Sequence, residues 1–73
     1  MTSVASYIAQ SRRHLESGSA AQALAASERG LAISPSDGEL QLLRALSLMA
    51  LEEYAQAAES WRFLTATNSE NEE

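Results

Sequence analysis

The 73-residue chain has no cysteine, one proline, one histidine and three glycines. It also has no lysine: its five basic residues are all arginines, Arg12, Arg13, Arg29, Arg44 and Arg62. Without cysteine there is no disulfide staple and no thiolate ligand, and one histidine supports no zinc set, so no metal or cofactor is expected. The missing cysteines fit a reducing compartment. Ten acidic residues leave a net charge of −5. Nucleic acid and anionic membranes bind clustered positive charge, so neither is an expected partner. No apolar run exceeds four residues, as in Leu48-Met49-Ala50-Leu51, far short of the ~20 of a membrane span. The opening Met1-Thr2-Ser3-Val4-Ala5 has no basic stretch ahead of an apolar one and does not read as a signal peptide. The expectation is a cytoplasmic protein.

Reactive constellations are missing too. There is no glycine-rich phosphate loop, no nucleophile elbow and no calcium-binding loop. His14 falls inside a helix at a packing position. The acidic pairs Glu52-Glu53 and Glu72-Glu73 stand at a helix start and in the tail, where solvation is the ordinary fate of adjacent carboxylates. No residue is therefore a candidate catalyst, and the chain is not expected to be an enzyme. A chain of this length buries only about 60% of its unfolded surface. Its stability must come from regular packing, from oligomerisation or from a partner.

What is present is helical periodicity with sharp punctuation. From Val4 the larger apolar residues continue to Leu15 at helical spacing, with Ser3 as a plausible N-cap and Gly18 as the left-handed residue that closes the helix. Ser19-Ala20-Ala21-Gln22 reads as a capping box opening a second helix, which runs to about Ile33, where Pro35 forbids continuation. Ser36-Asp37-Gly38-Glu39 is a second such box and opens a third helix, from about Asp37 to Ala50. A fourth runs from about Glu53 to Ala66, with Asn68 able to end it. Residues 69–73 read as an acidic, disordered tail. Period-two alternation is absent, so the fold class is all-α.

Shifted on itself by 34 residues, the chain comes into register: Ala21-Gln22-Ala23 falls on Ala55-Gln56-Ala57, Ile8 on Leu42, Leu15 on Met49 and Ser11 on Ala45. The positions at which the tetratricopeptide repeat (TPR) motif places small, bulky, turn and aromatic residues are taken in the first repeat by Ser11, His14, Gly18, Ala23, Ser27, Gly30 and Pro35. In the second they are taken by Ala45, Leu48, Glu52, Ala57, Trp61, Leu64 and Ser69. Tyr54 also sits where that family often opens its second helix with an aromatic. The chain thus resembles the TPR family over about residues 4–69. The departures are Ser27 for the first aromatic, Glu52 for the second turn glycine, Leu64 for a small residue and Ser69 for the second proline.

The resemblance implies two helical hairpins, repeat 1 over about 4–37 and repeat 2 over about 38–68 of a single domain 1–68. Their four antiparallel helices would stack as a short right-handed superhelix. An unrelated four-helix bundle is the alternative.

The resemblance also implies a concave face lined by the first helix of each repeat. Repeat 1 would present Ile8, Ala9, Arg12 and Leu15; repeat 2 would present Glu39, Leu42, Leu43, Leu46 and Met49. The four apolar residues of the second set span more than one narrow stripe, so some should stay exposed. One reading makes Ile8, Arg12, Leu15, Leu42, Leu43, Leu46 and Met49 a groove for a peptide or helix of another protein, as in an adaptor or small chaperone-like module. The other makes them core, together with Leu40 and Leu48.

The carboxylate clamp of chaperone-binding members of the family is not expected, since Ile8, Arg12 and Leu43 occupy the matching positions. Arg12 and Arg13 could grip an acidic segment or simply favour the helix dipole. Trp61 and Phe63 read as core or interface, and Arg44 and Arg62 as solvated or weakly paired. Tyr7 at one end and Trp61 and Leu64 at the other would be left without neighbours, and a homodimer would cover them.

Overall fold

The computed structural model describes residues 3–71. Four helices follow one another: α1, Val4–Glu16; α2, Ala20–Ile33; α3, Gly38–Ala50; and α4, Tyr54–Asn71. No strand occurs among the described residues.

The first N–H groups of a helix have no intrahelical partner, and a short polar side chain just outside can accept from one of them. At α1 the Ser3 hydroxyl accepts from the Ser6 N–H at 3.3 Å. At α3 the Asp37 carboxylate accepts from the Leu40 N–H at 3.0 Å, so the cap is Asp37 rather than Ser36. Ser19, expected to cap α2, makes no side-chain cap bond. Its backbone, at φ −100° and ψ 68°, is not in the extended conformation that turns a capping hydroxyl onto the first turn. α4 continues to Asn71, beyond the expected end at about Ala66 and past Asn68, because neither glycine nor proline stands there to stop it. The first three residues of the expected disordered tail are therefore helical in backbone, and Glu72 and Glu73 lie outside the described residues.

The two hairpin turns are copies. In the first, the N–H groups of Ser17, Gly18 and Ser19 donate to Arg13 O, Leu15 O and His14 O. In the second, Leu51, Glu52 and Glu53 donate to Ser47 O, Met49 O and Leu48 O. Every donor and every acceptor recurs after the same 34-residue offset. The middle residue takes a positive φ in both turns, +82° at Gly18 and +63° at Glu52. A glutamate thus holds the left-handed conformation that normally calls for glycine.

α1 packs on α2 and α3 on α4, giving two hairpins; α3 then lies against α2 and, more lightly, against α1. The core is thin: among the described residues Leu40, Leu43 and Leu48 are its large members, set among buried Ala23, Ala26, Ala45 and Ala57. Four serines are buried with them. Each is hydrogen-bonded, Ser11 to Ala23 O at 2.9 Å, Ser27 to Leu24 O at 2.8 Å, Ser47 to Leu43 O at 2.8 Å, and Ser60 to Arg44. Small side chains let the backbones approach, and satisfied hydroxyls avoid the cost of a bare buried polar group.

The hairpins approach closely at Gly30. A Cβ there would lie 2.8 and 2.9 Å from the two terminal methyls of Leu40 and 3.2 Å from Tyr7 Cβ, so only glycine fits without displacement.

Candidate functional site: an apolar groove between α3 and α4

α3 carries leucines on both sides. Leu40, Leu43 and Ser47 recur at spacings of three and four and are buried, Leu40 against Gly30 of hairpin 1. Leu42, Leu46 and Met49 recur at the same spacings on another face and are 38%, 39% and 43% exposed. Trp61 on α4, 36% exposed, lies beside them and donates its indole N–H to Met49 Sδ at 3.3 Å. Toward the other end of this face Gly38, Glu39 and Leu42 of α3 and Trp61, Leu64 and Thr65 of α4 enclose an open groove of about 510 Å³. Gly38 leaves that end open: a Cβ there would be 3.9 Å from the nearest atom, Leu64 Cδ2.

The lining is mostly hydrocarbon and indole, with the polar groups of Glu39 and Thr65. No group of three or more His, Cys, Asp or Glu side chains could hold a metal ion among the described residues. Apolar surface of this kind can bind by excluding water and offers no set of convergent polar groups for chemistry. Among the described residues no helix is long and apolar enough to cross a membrane.

The predicted contact residues divide. Leu42 lines the groove with Trp61 and Leu64, while Leu46 and Met49 are exposed further along α3, where Met49 accepts from Trp61. Leu43 does not line it: it is 5% exposed, because helical spacing turns it with Leu40 into the interior. Ile8, Arg12 and Leu15 do not line the groove. Ile8 and Leu15 are half-buried on α1, while Arg12 forms an ion pair with Glu39 of α3. Both partners are well exposed, so the pair contributes little to stability. Tyr7, expected on a free end, is half-buried against Gly30 at the meeting point of the hairpins.

Arg44, expected to be solvated or weakly paired, is paired: its side chain is 20% exposed, lies 3.7 Å from the exposed Glu28 of α2 and donates to Ser60 Oγ of α4 at 2.6 Å. One guanidinium therefore ties three helices. The available signal was its spacing of four from the buried Leu40.

The groove has a counterpart inside the molecule. Under the 34-residue offset, Leu42, Leu46 and Met49 correspond to Ile8, Arg12 and Leu15 of α1. Trp61 and Leu64 correspond to Ser27 and Gly30 of α2. That counterpart is already covered: α3 lies on it, Leu40 fills the space over Gly30, and Ser27 is fully buried.

No protein-family model matches the chain, and neither a curated protein nor a solved structure matches it.

Proposed function

We propose that this chain is a protein–protein interaction module that receives the apolar face of a helix in the groove between α3 and α4. The observation that carries the reading is internal. The equivalent face of hairpin 1 is occupied by a helix, α3, whereas the face of hairpin 2 has no neighbour among the described residues. The recurrence of both turns at one offset supports placing the chain in the TPR family, whose helices commonly serve as binding surfaces. On this reading it is an adaptor or small chaperone-like protein of the cytoplasm, with no catalytic step of its own.

Leu42, Leu46, Met49 and Trp61 are each already more than half buried. Covering the remainder contributes about 1 kcal/mol per side chain. Association and ordering costs offset much of this, so affinity in the micromolar range is expected.

A photo-crosslinking amino acid placed at position 46 or, as a control, at exposed position 9 tests the site in the native cells. Adducts are expected from position 46 and not from position 9, and Leu42→Glu should suppress them about tenfold with helicity unchanged. Equal labelling from both positions, or labelling that survives Leu42→Glu, would show that the groove is not the contact surface.

A further inference from the structure

The groove is one part of a larger apolar face on hairpin 2. Among the described residues seven large apolar side chains stay exposed, and five of them share that face: Leu42, Leu46 and Met49 of α3 with Tyr54 and Trp61 of α4. At about 100° per residue, the three on α3 lie within about 60° of one another, and Tyr54, Ala58, Trp61 and Thr65 do the same on α4. The bond from Trp61 to Met49, and the groove that Leu42 and Trp61 share, set the two stripes side by side.

Both stripes are centred at one level. Gly38 is level with Leu64 and Arg44 with Ser60, which fixes the register of the antiparallel pair. The middle of the α3 stripe, between Ala45 and Leu46, is therefore level with the middle of the α4 stripe, between Ala57 and Ala58. A half-turn about the line through those two points exchanges Leu42 with Met49 and Tyr54 with Trp61. The face is thus complementary to itself.

We propose, resting on the groove reading for the contact surface, that its occupant is a second copy of this chain, docked face to face in a two-fold symmetric homodimer. α3 then lies antiparallel on the partner's α3, and α4 on the partner's α4. Leu46 and Ala58 each meet their own copy beside the axis. The partner's Met49 covers Leu42 and the partner's Tyr54 covers Trp61, so apolar side chains from the second copy close the groove.

Charge selects this axis. Glu52 and Glu53 are exposed at one end of the face and Arg62 toward the other, where the Arg12–Glu39 pair adds no net charge. An axis across the helices brings Arg62 level with the partner's Glu53. An axis along them would set the two acidic ends against each other.

The five exposed side chains leave about 450 Å² per copy, ~900 Å² for a pair before smaller residues are counted, close to the ~1,000 Å² of a specific interface. Head-to-tail stacking through α1 has no comparable surface. The exposed residues of that helix are Ala5, Ala9, Arg12, Arg13 and Glu16, with no large apolar side chain among them.

The chain has no cysteine, so single cysteines can locate the axis. Leu46 and Ala58 each come within disulfide reach of their own copies, whereas Thr65, on the same face, stands about 20 Å from its copy along the helix. In a glutathione redox buffer, the full chain carrying Leu46→Cys or Ala58→Cys should form a disulfide-linked dimer, and Thr65→Cys about tenfold less. Sedimentation of the unmodified chain from low micromolar to near-millimolar concentration should show a monomer–dimer equilibrium, with the emission of its single tryptophan, Trp61, shifting to the blue. Leu46→Glu sets two carboxylates together at the axis and should weaken the dimer roughly a hundredfold. Position 46 is exposed in the single chain, and circular dichroism checks that the variant is folded.

A chain that stays monomeric throughout, an assembly growing past the dimer, linkage from position 65 equal to that from 46 and 58, or a dimer that survives Leu46→Glu would each overturn the proposal. A monomeric chain that still gives photo-crosslinked adducts with another protein from position 46 would overturn the second copy as occupant and leave the groove reading standing. No adduct of any kind from position 46 would sink both.

Discussion

Hairpin 1 and hairpin 2 differ less in backbone than in filling. Their helices start at equivalent residues and their turns are bonded donor for donor, yet the face that is glycine and serine on α2 is leucine and tryptophan on α4. In hairpin 1 the small residues form a seat, and a large residue from the next helix fills it. In hairpin 2 large residues stand at the matched positions, and the surface is apolar where its counterpart carries Arg12. The same fold thus presents one surface that is satisfied internally and one that is not. The difference lies in a few side chains at matched positions rather than in any added element.

The sharpest way to break the comparison is to empty the filled seat. Leu40 is fully buried and lies over Gly30 of hairpin 1. Leu40→Ala should cost about 2–5 kcal/mol, the transfer term plus a cavity, measured as a fall in the urea midpoint. In a domain this small that is a large part of the total stability. Leu64→Ala, at the matched side of hairpin 2, removes a half-exposed side chain and should cost about 1 kcal/mol or less in the monomer. Equal losses would mean that the two faces are not, as argued, one occupied and one open.

Making hairpin 1 resemble hairpin 2 is the next test. Gly30→Leu introduces the residue found at position 64 into a site where even a Cβ would approach Leu40 at 2.8 Å. Overpacking should destabilise by about 1–3 kcal/mol and part the hairpins. The readout is urea denaturation, with amide exchange resolving whether α3 loses protection before α1. A neutral result would show that Leu40 can move aside, and that the close approach at Gly30 does not fix how the hairpins sit.

Much of this was legible beforehand, for physical reasons. Local signals fixed the helices: Ser3, Gly18 and Pro35 act through backbone geometry within a few residues, and the boundaries they set are the observed ones. The errors also came from local chemistry. Ser19 satisfies a capping pattern by residue type but has the wrong backbone angles. Asp37 competes with Ser36 for one cap position and takes it.

The groove was half legible. An excess of leucine on α3 implied exposure, but the sequence alone does not say how the helix is rotated, so Leu43 could not be separated from Leu42. That rotation is set by Leu40 against Gly30, a contact between hairpins that no periodicity reveals. For the same reason Arg44 read only as solvated or weakly paired, with no partner named: its partners Glu28 and Ser60 lie on two other helices.

The smallest expected effect concerns the two turns, which are alike in shape and unlike in residue. Gly18, at φ +82°, has no atom within 4 Å of where a Cβ would stand, so a substitution there is felt through the backbone alone. Gly18→Ala should therefore cost about 1 kcal/mol, the penalty of holding an L-residue in the left-handed region. Hairpin 2 already bears that penalty, with Glu52 at φ +63°. Glu52→Gly should remove it and stabilise the chain by up to about 1 kcal/mol, less whatever the added freedom of glycine returns to the unfolded state. Because Glu52 is exposed, no buried contact is lost in the exchange. Both variants are read by urea midpoints at constant slope, so that a change in the unfolded ensemble is not mistaken for a change in the turn. Opposite signs of similar size would show that the turns are energetically one motif carrying different residues. A loss of stability in Glu52→Gly would instead mean that the glutamate side chain makes a contribution in the second turn that outweighs its strain, and the two hairpins would then differ in their turns as well as in their faces.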